Sequence, residues 1–140
     1  MSTIVTRSGK GSPLTHVEVD ANFNNLNTDK AGYITGEGGT VTQATSKATA
    51  VTLNKKCGQI TMNAASLAAA TTVTFTLTNS TIAATDLLVL NHDTGGTAGA
   101  YLLNAQCGAG FVSINVRNVT AGALAEAIVI GFAVIKAVTA

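Results

Sequence analysis

Polar and apolar positions alternate along much of this 140-residue chain. Over residues 72–78, Val73, Phe75 and Leu77 share one face and four threonines the other, the period-two pattern of a half-buried strand. Val112, Ile114 and Val116 alternate with Ser113, Asn115 and Arg117 in the same way. Shorter strands are predicted in the glycine-punctuated stretch 34–56 and over 59–62, 87–91 and 101–104. The last two are expected to pair across the turn at Asp93–Thr97, and Gly108 and Gly110 mark a further turn. An alanine-rich run at 64–70 is compatible with a helical turn that Thr71 and Thr72 stop. Residues 127–138 are apolar on both faces. Ile128, Ile130, Phe132 and Val134 form the bulky face; Val129, Gly131, Ala133 and Ile135 form the slimmer one. A strand of that kind is buried on both sides, either centrally in a sandwich or in an intersubunit core. Seven or so short strands with regular turns predict a mainly β protein, an antiparallel β-sandwich of jelly-roll-like type.

Ahead of the strands the period changes. Thr15 and Glu18 have the spacing of a capping box, with Pro13 in the turn before it. Val19, Phe23 and Leu26 then fall on one stripe of a helix of about 15 residues, which Gly32 ends. Asn22, Asn24, Asn25 and Asn27 flank the stripe and are poor helix formers, so this helix needs a docking surface. The first ten residues read as a tail. The organisation expected is an attachment arm over 1–38 and a sandwich body over 39–140.

Composition sharpens that division. Charged residues are 11% of the chain, against about 25% in an ordinary domain, and 23 Ala, 22 Thr and 14 Gly supply much of the rest. Ten charged side chains lie in residues 1–56 and five in 57–140: Asp86, Asp93, Arg117, Glu126 and Lys136. A body so poor in charge is expected to be covered, most simply by copies of itself. High hydrophobicity with little net charge argues against disorder. A net charge of +1 offers no basic field for nucleic acid. The N-terminus lacks the apolar core of a secretion signal, and the uncharged run between Glu126 and Lys136 is too short to span a bilayer. The expected site of synthesis is the cytoplasm, without membrane insertion.

Little in the chain resembles catalytic machinery. Cys57 and Cys107 lack metal-ligand spacing; a disulfide between them stays open, and two small buried thiols are the expectation. His16 opens the helix. His92 adjoins Asp93, but neighbours on a strand point to opposite faces, and no nucleophile motif accompanies them. The seven carboxylates do not cluster, and nothing in the sequence supports Asp86 with Glu126 as the facing pair that glycoside chemistry needs. Gly36-Glu37-Gly38-Gly39 lacks the Lys-Ser/Thr ending of a phosphate loop. Asn79-Ser80-Thr81 and Asn118-Val119-Thr120 match the glycosylation acceptor, which matters only in a secreted chain. No enzyme, metal or cofactor is expected.

Residues 10–27, KGSPLTHVEVDANFNNLN, resemble the KGSPLTxxEVDANFxNLN segment near the start of many tailed-bacteriophage virion proteins, tail fibres above all. Residues 39–47, GTVTQATSK, with Thr52-Leu53-Asn54-Lys55, look like a module that recurs in phage fibres and small head or tail proteins. The remainder, to Lys136, is similar to the β-domain that follows that module. The resemblance implies a non-enzymatic virion protein, a homotrimer attached by its arm to capsid or tail proteins. Leu14, Thr15, Val19, Phe23 and Leu26 would form the attachment surface. Ile128, Ile130, Phe132 and Val134 are the expected oligomer interface. Because the body follows the arm almost directly, a capsid decoration protein or head fibre is favoured. The alternative is a short tail fibre, tail adaptor or receptor-binding module that recognises a host-surface glycan.

Overall fold

A computed structural model of the chain describes residues 4–28 and 36–137, the side chains of 26–28 excepted. Its contacts divide into two compact units, Met1–Glu37 and Gly38–Ala140. In the second, the described residues form eight strands: β1 (Thr40–Thr42), β2 (Val51–Thr52), β3 (Cys57–Thr61), β4 (Thr72–Thr78), β5 (Leu87–Thr94), β6 (Tyr101–Gly108), β7 (Phe111–Asn118) and β8 (Val129–Ile135). They make two four-stranded sheets, ordered β1-β3-β8-β5 and β2-β4-β7-β6, packed together as a β-sandwich. The chain changes sheet at every connection but one. Among the described residues only β6 and β7 form a hairpin, turning at Ala109-Gly110, where Gly110 takes a φ of 80° that glycine adopts without strain.

The two strongest alternations became β4 and β7, and they pair with each other. Val73 lies opposite Val116, Phe75 opposite Ile114 and Leu77 opposite Val112. These residues meet Ile60, Met62, Ile128, Ile130 and Phe132 from the facing sheet in a single core. Each such side chain stabilises the fold by about 1.5–3 kcal/mol on burial.

Three expectations need correction. First, residues 87–91 and 101–104 do not pair: β5 lies beside β8 in one sheet, and β6 beside β7 in the other. Both strands carry an apolar inner face, and placing them in opposite layers lets each cover the other. Second, the sheets are mixed. β1 runs parallel to β3 and β2 parallel to β4, because the chain crosses to the other layer and returns in its original direction. Third, residues 64–70 form no helix. Leu67 is buried and bridges Leu124 in isolation, and the surrounding alanines carry too little apolar area for an amphipathic turn.

β8 is central in its sheet, between β3 and β5. Its bulky face points at the other sheet, so Ile128, Ile130, Phe132 and Val134 are only 0%, 0%, 5% and 6% exposed within one chain. The residues expected at an oligomer interface therefore fill the chain's own core instead.

In the first unit a short helix, α1 (Arg7–Lys10), stands where a tail was expected, and α2 spans His16–Thr28. Thr6 caps α1, its Oγ1 accepting from the Gly9 N–H at 3.1 Å. The capping box forms at α2: the Thr15 N–H donates to Glu18 Oε2 at 2.7 Å, and the Glu18 N–H donates to Thr15 Oγ1 at 3.3 Å. Two further ties join the segments. Asn22 accepts from the Val5 N–H at 2.8 Å and donates to the Val5 carbonyl at 2.7 Å, while Lys10 Nζ meets Glu18 Oε2 at 2.5 Å. Gly32, expected to end α2, lies outside the described residues.

Candidate functional site

The arm presents apolar side chains that its own fold does not use. Asn22 and Glu18 tie Val5 and Lys10 to α2 through polar contacts, and Phe23 is left 68% exposed and Val17 77% exposed. Of the other expected attachment residues, Thr15 is the exposed cap of α2, while Leu14 and Val19 are half-buried. Val19 and Phe23 are one turn apart on the same side of α2. Leu26 lies on α2, with its side chain outside the described residues. The Lys10 ammonium, then the backbone and hydroxyl of Thr15, hold the Glu18 carboxyl down at about 2.

The groups that could carry chemistry are kept apart. Asp86 sits at the foot of β8, bonded to the N–H groups of Ala83 and Ala137 and paired with Lys136. Burial pushes its carboxyl up, but those donors outweigh it and hold the group below the usual carboxylate range. Glu126 instead accepts from Thr97 Oγ1 at 2.6 Å, the Thr97 N–H at 3.0 Å and Tyr101 Oη at 2.8 Å, contacts that lower its pKa. These two carboxylates share no partner. His92 Nε2 lies 2.6 Å from the Gly95 carbonyl, and its ring packs edge-on against Tyr101, whereas Asp93 turns to Gln59 and Asn91. Cys57 and Cys107 are free and half-buried, on β3 and β6 of different sheets. Burial, then the nearby Asp86 charge, raises the Cys107 thiol. Among the described residues no group of three or more His, Cys, Asp or Glu could hold a metal ion, and no helix is long and apolar enough to cross a membrane.

Several buried polar residues escaped the sequence reading. Lys47 is buried with Nζ donating to the Asn63 carbonyl at 2.7 Å and the Glu126 carbonyl at 2.5 Å. Burial lowers its pKa, partly opposed by Glu126. Buried Gln43 bonds the carbonyls of Lys47 and Thr49 and accepts from the Asn63 N–H. Gln43 and Lys47 are thus why the 39–47 segment carries those residue types: they tie a loop without regular hydrogen bonding to the sandwich. The two Asn-x-Thr sites are also structural. In each, the buried Asn accepts from the backbone N–H and hydroxyl of the Thr two positions on.

The two outer faces of the sandwich differ. The face of the β2-β4-β7-β6 sheet carries threonines of β4 beside Asn115, Ser113, Asn104 and Gln106. Thr74 donates to Asn115 at 2.5 Å and Asn115 to Asn104 at 2.7 Å. The face of the other sheet is hollowed. Gly131 and Ala133 floor a shallow concavity of about 380 Å³ between β3 and β5. A Cβ on Gly131 would collide with the Asp93 carboxylate, so glycine is what lets this group lie down on the sheet. Gln59 donates to it at 3.2 Å and Asn91 at 2.8 Å. That end can exchange hydrogen bonds with a ligand but holds no nucleophile with a base. The other end, lined by Val89, Ala133 and Cys57, is apolar. Comparison with protein-family models, curated proteins and solved structures found no match.

Proposed function

We propose that the protein is a non-enzymatic structural component of a tailed-phage virion. In this reading it is a homotrimer that decorates the capsid or stands on it as a short head fibre, attached through its N-terminal arm. The observation that carries the reading is an arm that forms its own compact unit, braced by polar contacts, yet leaves Phe23 and Val17 bare. Such side chains gain about 1.5–3 kcal/mol each when a partner covers them, which favours docking. The resemblance of residues 10–27 to phage virion segments supplies the context, and the charge-poor body fits self-association. The jelly-roll-like reading of the sandwich rests on the chain's alternation between its sheets. The polar end of the concavity, with Gln59, Asn91 and Asp93, favours the second reading, a tail-associated module that touches a host glycan.

Cosedimentation with purified heads and tails of the phage tests the attachment. The wild-type chain is expected to pellet with heads. Phe23→Asp should stay in the supernatant while the body's melting temperature is unchanged. Pelleting with tails alone would transfer the protein to the tail-fibre or adaptor alternative, and pelleting with neither would overturn the attachment reading.

A further inference from the structure

We propose that copies of this chain meet through the outer face of the β5–β8 half of its first sheet, with Leu87, Val89 and Ile135 turned toward the rotation axis. This rests on the self-association reading above and names the surface responsible.

Register makes the patch continuous. Leu87 lies directly opposite Ile135, and Val89 opposite Ala133, which has Cys57 on its other side. Alternation turns all five outward, and Leu87, Val89 and Ile135 are 62%, 51% and 51% exposed. A single exposed leucine is ordinary; three large apolar side chains on adjoining strand positions are a patch that water does not favour. The other sheet offers nothing equivalent. Its exposed apolar residues, Leu102 and Phe111, sit at opposite ends of the face, one opposite Arg117 and the other opposite Gly108, separated by the Asn104–Asn115 contact.

The chemistry of the patch selects another copy as the occupant. Side chains close to a rotation axis meet their own duplicates, so a charge there meets like charge. Leu87, Val89, Ala133, Ile135 and Cys57 carry no charge, Lys136 is held by Asp86, and Asp93, at the far, polar end of the hollow, accepts from Gln59 and Asn91. A foreign partner imposes no such restriction and would favour complementary charges around the patch. Position agrees: Val89 lines the apolar end of the hollow over Gly131 and Ala133, so the patch and that end of the hollow form one uncharged surface. β5 is also an edge strand, uncharged from Leu87 to Asn91, with its register shift confined to His92/Thr94 at the far end.

Light scattering on the full chain tests this, with circular dichroism on each variant to confirm the fold. The wild type is expected at about three times the 14.0 kDa of one chain. Leu87→Lys should run at one chain's mass, and Leu87→Ser, which adds no charge, should dissociate at a higher protein concentration than the wild type. Leu102→Lys, equally exposed on the other sheet, should stay assembled. An assembled Leu87→Lys, or a Leu102→Lys that dissociates as readily, overturns the assignment of this surface and leaves the oligomer standing. A monomeric wild type overturns both.

Discussion

Asn118 is fully buried, and its side chain ties three stretches of backbone together. Its amide donates to the carbonyls of Leu67, Ala68 and Gly122, and its oxygen accepts from the Thr120 N–H and hydroxyl. Read as letters, Asn-x-Thr is a glycosylation acceptor; read as geometry, it is a turn whose side-chain amide substitutes for missing sheet hydrogen bonds. Truncating it removes three donated and two accepted hydrogen bonds at once. The Leu67, Ala68 and Gly122 carbonyls keep a second donor, while the Thr120 N–H loses its acceptor. Each bond lost is worth about 0.5–1.5 kcal/mol. Asn118→Ala is therefore expected to lower stability by about 3 kcal/mol in urea unfolding. Asn118→Asp should cost more at neutral pH, since it points a negative oxygen at the carbonyls of Leu67, Ala68 and Gly122 in place of the amide donor. Asn104→Asp, on the exposed face, should change stability by less than about 0.5 kcal/mol. Equal effects at the two positions would sink this account of Asn118.

At the scale of elements, α2 depends on a carboxylate at its start. The Glu18 pKa is lowered from 4.5 to about 2, so the ionised form is favoured in the folded arm. Its stabilising contribution is complete above pH 4.5 and disappears as pH falls through about 2. The amide proton of Thr15, which donates to that carboxylate, should titrate with a midpoint near 2, and Glu18→Gln should abolish the titration. Lys10→Met should move the midpoint up toward the ordinary range, because Lys10 is the largest cause of the shift. A wild-type midpoint at 4.5 would show that the capping contact does not form.

The capping box was legible because its residues are three apart and bond each other. α1 was not, since Thr6 to Gly11 shows no apolar period, and the Asn22 tie to Val5 spans 17 positions. The same distinction governs the strands. Alternation in 72–78 reveals which face is buried, and β4 duly buries Phe75 and Leu77. It carries no information about the neighbour, so β5 and β6, adjacent in sequence, were mistaken for a hairpin. The apolar run of β8 implied burial of both faces, and the structure buries only one: Ile130 and Phe132 face the other sheet, while the slimmer face is half-buried and Ile135 is 51% exposed. Gln43 and Lys47 were illegible for a related reason: a buried cation bonded to main-chain carbonyls leaves no complementary side chain to recognise in the sequence.

For the whole molecule, the proposed division of labour between arm and body makes a separable prediction. The buried apolar residues of the described structure begin at Val51, and its buried polar residues begin at Gln43. The sandwich core is therefore complete without residues 1–37, and so is the outer patch around Leu87 and Ile135. Deleting residues 1–37 should leave the body's unfolding free energy in urea unchanged to within about 0.5 kcal/mol, with a single cooperative transition. The deleted protein should keep the wild-type assembly state yet fail to pellet with phage heads. Loss of assembly would place the self-association surface in the arm and contradict the role of the β5–β8 face. Retained pelleting would move attachment to the body, where its surface would compete with the patch for the same uncharged ground. If assembly survives and attachment is lost, low charge in residues 57–140 has one physical explanation: that part of the chain is built against its own copies, and binding elsewhere is left to Phe23 and its neighbours on α2.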